Sequence, residues 1–403
     1  MSRLTANQVL GRLTFGPTSA QRDRFDGASA DEVVASLLDD PPVDVAVPGP
    51  WDFDTEEDYW APTNWWLDVM RHEQAGLHEK LVWFWHGHLT SSIGKTSHGA
   101  MIAQHERIRR LARGNFRDLL REMTTDVAML HWLDGSGSDA ASPNENHARE
   151  LLELFTLGRG NGAYDERDVH AAATAMAGWW ADGESLEVGF DPGTGPARAS
   201  TVVGRSCRSV DDVVDVVCDH PACAPHVASR LAEFLTGVRP PDDVRRELGD
   251  RFASSGLDID VLVRHLCTHP WFATTPPRPR SAVEWFVGAE RALGSTLDVW
   301  TLELLGQVPL SPLNVAGWPG SARWVSAGAV ITKAEAALGR AWDAPTLDDR
   351  DRIADATGRA GLDALTPSTR SALTEAISRV DGRREASSLL LALVTVTHEF
   401  NET

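Results

Sequence analysis

Residues 142–158 read SPNENHARELLELFTLG, and this stretch decides the fold class. Ser142 stands where a helix N-cap belongs, Pro143 takes the first helical position, and Glu145 sits where a capping box wants an acid. Gly158 is the natural stop. Between them Leu151, Leu152, Leu154 and Phe155 occupy most sides of the helix, the pattern of a buried one. Asn146, Glu150 and Glu153 are spaced i, i+4, i+7 and form one polar stripe, with Arg149 beside it. A buried carboxylate needs a cation, a hydrogen-bond partner or a proton. The stripe is therefore a fold signal and a candidate site together.

Helical periodicity extends in both directions from this segment. It covers Ala30 to Leu38, with Val33, Val34, Leu37 and Leu38 on one face, then Glu57 to His72, Leu77 to His86, Ser97 to Arg113, Asn115 to Thr124 and Asp126 to Leu133. A Pro- and Asp-rich loop is expected from Asp40 to Pro50, and another loop over Gly135–Pro143. After RGNGAY comes a helix from Asp165 to Trp180. Strand-like sequence occurs only around residues 185–203 (SLEVGF, then ASTVVG). Helices then resume up to His398, interrupted by the long Pro- and Gly-rich loop Val308–Arg323. The expected architecture is an all-α, mainly helical single domain over residues 1–403. It carries a small strand-like insertion, a sub-boundary near 181–207 and a C-terminal helical segment over 332–403.

The 403 residues are 42% hydrophobic and 24% charged, enough for a sizeable core. No apolar run reaches the ~18 residues a membrane span needs. The N-terminus MSRLTANQVLGRLTFGPT lacks a secretory pattern, so the chain as read is expected in the cytoplasm. A net charge of −20 repels polyanions, and no nucleic-acid partner is expected. The arginine run Arg107, Arg109, Arg110, Arg113 and Arg117 is interleaved with Glu106 and Asp118 and reads as a solvated helix face. Of 38 basic residues only Lys80, Lys95 and Lys333 are lysines. Cys207, Cys218, Cys223 and Cys267 form no disulfide framework. Cys218, His220, Cys223 and His226 superficially resemble zinc ligands, but lie on two helices broken near Pro221 and read better as buried thiols. Gly-x-Ser-x-Gly, phosphate-loop and His-Glu-x-x-His motifs are absent, and Gly158, Gly160 and Gly162 follow a helix rather than the strand a dinucleotide loop requires.

A second polar segment is LHEKLVWFWHGHLTSS. Glu79 and His86 lie seven residues apart on one face, along with Trp83. Gly87 is placed to release the helix and let His88 turn back beside His86. Two imidazoles with carboxylates from Glu79 and Glu150 suit a divalent metal such as Zn, Fe, Mn or Cu. Glu150, Glu153 and Arg149 then become catalytic candidates. The competing reading is structural: Glu145 as a cap, Glu145, Arg149 and Glu153 as a surface ion-pair ladder, and His86 as a core histidine. Fifteen tryptophans are a high count, and some have the shape to line a pocket for a sugar ring or other flat-faced ligand. The 308–323 loop is a candidate cover for a site, with Trp318 and Asn314, together with Asn146, as substrate contacts.

Several stretches together carry a family resemblance. They are RLTFGPT, EKLVWFWHGHLTSS, GNFRDLL, AMLHWLDG, NENHARELLELFTLGRGNGAYDERDVHAAATAMAGW, SAVEWFVGAERALG and LGQVPLSPLNVAGWPGSARW. In this order, over residues 10 to 330, the chain resembles the bacterial family known as domain of unknown function 1800. The resemblance implies a largely helical domain. By matching position, the motif residues it implies are Glu79, His86, His88, Asn144, Glu145, Asn146, Arg149, Glu150 and Glu153. It also implies frequent export, and genes beside sulfatase-like or alkaline-phosphatase-like proteins. Members commonly carry Asn where Gly87 stands, a His-Asp pair where Phe190 and Asp191 stand, and Arg at Thr174. Two functions are expected: a metal-dependent hydrolase or oxidoreductase, or a non-catalytic helical scaffold serving a neighbouring sulfatase- or phosphatase-like hydrolase.

Overall fold

The computed structural model describes residues 4–41, 45, 56–72, 75–318, 321–348 and 350–403. It is mainly α-helical, with two small antiparallel hairpins. Local sequence starts many of the helices. Capping boxes at Thr5/Gln8, Thr18/Gln21, Ser29/Glu32 and Ser281/Glu284 satisfy the first backbone N–H groups reciprocally. Asn115, Asp126 and Ser97 cap the helices that follow them. The Val33, Val34, Leu37 and Leu38 face is buried as its spacing requires.

Two helices form the centre, Leu77–His88 and Ala282–Leu293, and nearly every residue of each is buried. Trp66, Trp85 and Trp285 are the largest side chains enclosed around them. Burying helices on all sides forces their polar residues to find partners inside. Lys80 does so by donating to Glu284 and, at 2.9 Å, to the Thr14 carbonyl. Arg278 grips the same carboxylate with both terminal nitrogens, at 2.8 and 2.6 Å. One carboxylate thus ties both central helices to the segment before the second. The C-terminal residues close over this junction. Arg278 and Thr403 exchange backbone hydrogen bonds of 2.9 Å, and the Trp285 indole donates to the Thr395 carbonyl at 2.9 Å.

The strand-like insertion is two hairpins. Trp179–Ala181 pairs with Val188–Phe190, and Ser200–Val202 with Arg205–Cys207. The helix expected from Asp165 to Trp180 accordingly ends at Met176; Gly178, at φ +95°, turns the chain so that the tryptophan pair enters a strand. The expected start at Ser142 is also corrected. The helix begins at Asn146, where the Asn144 side chain accepts from the Asn146 N–H, and Glu145 makes no cap hydrogen bond. Two helices do break near Pro221, at Val210–Asp219 and Cys223–Thr236. The expected loop at 40–50 lies mostly outside the described residues.

Among the described residues Glu284 is the only carboxylate that Lys80 and Arg278 hold, so removing its charge leaves two buried cations facing each other. Glu284→Gln is expected to cost about 3–5 kcal/mol, read from urea unfolding. A loss below about 1 kcal/mol would show that this junction does not hold the fold together.

Candidate functional site

The 142–158 segment departs from an ordinary helix. Asn146–Glu150 is α-helical, but Leu151–Thr156 widens into a π-helix, seen in the 2.9 Å bond from the Leu157 N–H to the Leu152 carbonyl. Such widening is frequent at functional sites. Here two carbonyls of the widened turn take side-chain donors: Leu154 accepts from His226 Nε2 at 2.8 Å and Phe155 from His88 Nε2 at 3.1 Å.

The polar stripe lies on the outer side of this segment. Arg149 pairs with Glu166 at 2.9 and 2.7 Å, with Glu145 at 3.2 Å and with Glu153 at 3.7 Å. Glu153 also lies 3.6 Å from Arg159, and desolvation and its charge together push the Tyr164 hydroxyl up. Glu145, read above as a capping acid, instead also contacts His170 at 3.0 Å. The Asn146 amide donates to the Leu133 carbonyl at 3.3 Å. Glu150 is half-buried; desolvation and the neighbouring Glu153 charge push its carboxyl up. Glu145, Arg149 and Glu153 thus form the ion-pair ladder weighed in the sequence.

The histidines separate. The expectation that Gly87 breaks the helix is overturned, since the helix runs through to His88. With helical geometry kept, residues two apart project to different sides. His86 enters an aromatic box, with ring centroids 5.3 Å from Trp66, 6.3 Å from Trp83 and 5.4 Å from Trp318. Burial lowers its pKa to about 3, and among the described residues neither ring nitrogen has a hydrogen-bond partner. His88 lies among Phe84, Phe116 and Phe155. Glu79 spends its carboxylate on Arg109, at 2.7 Å through both oxygens, and accepts from the Trp66 indole at 2.6 Å. Among the described residues no group of three or more His, Cys, Asp or Glu side chains is arranged to hold a metal ion. His86, His88, Glu79 and Glu150 are therefore not gathered into one ligand set. The same holds for the Cys218–His226 cluster, where His226 is committed to the Leu154 carbonyl and all four cysteines are buried and free. The arginine run is ion-paired: Arg107 with Asp126, Arg110 with Glu122, Arg113 with Asp260, Arg117 with Asp215 and Asp219.

What the fold does assemble is a cleft of about 390 Å³ along the Leu77–His88 helix. Trp83, Phe84, Phe234, Trp318 and Trp324 give its aromatic surface. His88, Arg230, Glu233, Arg278, Glu284 and Gln307 supply its polar groups. The 308–318 loop lies against this cleft: Trp318 stacks on Trp83 with centroids 4.3 Å apart and planes 19° from parallel. Gly87 permits this, because a Cβ there would lie 3.3 Å from the Trp318 ring. Asn314 is exposed; its side chain accepts from the Ala316 N–H within the loop's own turn. Since His88 Nε2 faces a carbonyl, that nitrogen carries the proton, leaving Nδ1 as a lone pair. Desolvation, together with the charges of His226 and Arg230, holds His88 well below the ordinary histidine pKa.

Sequence reasoning missed Lys80, Arg230, Glu233, Arg278 and Glu284. Lys80 had a readable signal, a lone cation before the apolar run LVWFW. Glu284 was hidden, because three residues after Ser281 it also reads as a simple capping acid.

The buried neutral histidines make folding acid-sensitive. His78 and His147 are lowered to about 4, and His88 and His105 well below their ordinary value, by desolvation as for His86. A histidine pKa depressed by folding contributes stability above its unfolded value, about 6.5, and loses it as pH falls toward the folded value. Each is worth up to ~1.4 kcal/mol per pH unit in that window. Glu290, pushed up to about 7 by desolvation, offsets one proton of this. Unfolding free energy is expected to drop steeply from pH 6.5 to 5, and less steeply in His86→Leu. A flat profile over that window would refute the neutral assignment.

No curated protein and no solved structure matches the chain. The family comparison does: residues 8–402 match the family described as "Protein of unknown function (DUF1800)", and the chain belongs to that family.

Proposed function

We propose that this protein acts on a small ring-bearing molecule held in the Trp83–Trp318 cleft, with His88 as the group equipped for proton transfer or metal ligation. The observation that carries this reading is the stacked tryptophan pair forming one wall of a cleft that also contains His88 and two arginines. Aromatic faces suit flat apolar rings and the apolar faces of sugars, and a few polar groups at fixed positions supply orientation. A neutral imidazole whose other N–H donates to a carbonyl is oriented as metal-bound histidines usually are. It also serves as a hydrogen-bond acceptor without any metal. The metal-dependent form of this reading draws one ligand from His88 Nδ1 and needs the others from the bound molecule or water.

A second reading, a non-catalytic helical partner of a neighbouring sulfatase- or phosphatase-like hydrolase, is favoured by a different observation. Trp300 and Leu304 on the Trp300–Leu305 helix are 56% and 60% exposed. The adjoining Ala327–Arg340 helix exposes Ile331 and Leu338, with Trp342 just beyond it. Exposed apolar surface of this kind marks interaction sites. Co-purification of the two proteins, abolished by Ile331→Glu with Leu338→Glu, is its expected signature; failure to co-purify removes it.

For the cleft, quenching of tryptophan fluorescence by a panel of neutral monosaccharides and aromatic compounds is expected to reveal a saturable ligand. Trp318→Ala should weaken that ligand about tenfold or more, equivalent to ~1.4 kcal/mol. Unchanged affinity would take the stacked pair out of the site. Elemental analysis of untagged protein purified without chelator tests the metal form. Bound Zn, Fe, Mn or Cu should be lost in His88→Ala and kept in His86→Ala, and the reverse pattern would move the site into the Trp66 box.

A further inference from the structure

The buried basic side chains of the described residues are Arg12, Lys80, Arg278, Arg280 and Lys333, and they form one electrostatically coupled group. Two of the chain's three lysines are in it. Glu284 is the only acid among them. Lys80 and Arg278 share it. Arg12 spends its donors on Thr275 and on the Pro276 carbonyl, and Lys333 on the Trp324 carbonyl and the Asn401 side chain. These are neutral acceptors, so the group holds an excess of positive charge inside a protein whose net charge is −20.

Arg280 is the member whose guanidinium makes no hydrogen bond among the described residues. It is 4% exposed, its guanidinium sits 4.5 Å from the centre of the Phe400 ring, its Nε is buried without a partner, and Glu284 offsets its charge only through space. A buried ion without hydrogen bonds costs several kcal/mol. Arginine does not escape that cost by giving up its proton. Arg280 also lines a second cavity, of about 290 Å³, distinct from the tryptophan cleft and bounded by Asn7, Gly11, Leu362, Asp363, Glu399 and Glu402. A guanidinium fork at a cavity is built to take two oxygens of one anion.

We propose that this second cavity binds a small carboxylate, held in bidentate fashion by Arg280. The wall argues for one negative charge rather than several. Asp363, bonded to Asn7 and Thr5, Glu399, bonded to Thr366 and Thr369, and Glu402, paired with His398, add negative charge around it. They repel phosphate and sulfate dianions and favour an ammonium or hydroxyl on the body of the carboxylate. The ligand class is therefore a small zwitterionic or hydroxylated carboxylate.

The test is the unfolding temperature of the full chain at constant ionic strength in acetate, glycine, phosphate, sulfate or chloride. Glycine and acetate should raise it saturably by several degrees, glycine at the lower concentration, with phosphate and sulfate close to chloride. Arg280→Met should abolish the carboxylate effect and raise the anion-free unfolding temperature. Should that variant not fold, Leu362→Trp, which fills the cavity and keeps the cation, should abolish the effect alone. A larger shift with phosphate than with acetate overturns the carboxylate assignment. No shift beyond chloride, or a full shift in Leu362→Trp, overturns the site.

Discussion

The junction of Lys80, Arg278 and Glu284 is the constraint on which the rest of the molecule rests. Helices buried on nearly every side oblige their charged side chains to find partners inside, and Lys80 of one helix meets Glu284 of the other. Hydrophobic packing is non-directional and tolerates sliding or rotation of one helix on the other. A carboxylate gripped at once by a lysine on one helix and an arginine on the preceding segment fixes both register and rotation. That rotation decides which side of the Leu77–His88 helix faces the cleft. Trp83, Phe84, Gly87 and His88 come to line it, while Glu79 and His86 are left to the interior.

This explains why the two histidines so close in sequence have different chemistry. His86 is enclosed by tryptophans, with no hydrogen-bond partner for either nitrogen among the described residues, and acts as a neutral packing ring that makes folding acid-sensitive. His88 is anchored by a carbonyl of the π-helical turn and borders the cleft. That carbonyl is free because the helix ends at Thr156, which leaves its last carbonyls without intrahelical donors. The NENHARE segment therefore bears on the cleft through its backbone at Leu154 and Phe155, while its charged side chains face one another on the outside.

Helix positions were legible because their signals are local. The Val33–Leu38 face and the break at Pro221 each depend on a few neighbouring residues, and each lies where its pattern places it. The errors come from non-local competition. Gly87 looked like a helix breaker, but Trp318, more than two hundred residues away, needs a side chain without Cβ at that point and the helix is held on both sides. Ser142 looked like a cap, but Asn144 captured the first free N–H instead. The candidate site was harder to read than the fold for the same reason. Its lining comes from the Cys223–Thr236 helix, the 278–284 segment, Gln307 and the 308–318 loop, and nothing in the spacing of one segment announces the others. Trp318, Glu150 and the two histidines stood out as residue types; only packing separates the cleft-lining ones from the rest.

The lysine economy of the chain follows from the same physics. Arginine can be ion-paired at the surface in bidentate fashion, as Arg149 and Glu166 are, and Arg117 bridges two aspartates on a neighbouring helix. A compact ammonium fits where a planar fork does not. Lys80 sits between the Phe15 and Phe234 rings, at 4.9 and 5.6 Å, with a carbonyl and a carboxylate as its polar partners. Lys333 approaches the Trp285 ring at 5.6 Å while donating to a carbonyl and an amide oxygen. Each satisfies one small donor group in a site walled by aromatic rings, where a guanidinium would leave part of its five-donor edge unmet. Burial holds both ammonium pKa values at about 8, so near neutral pH they remain charged with little margin.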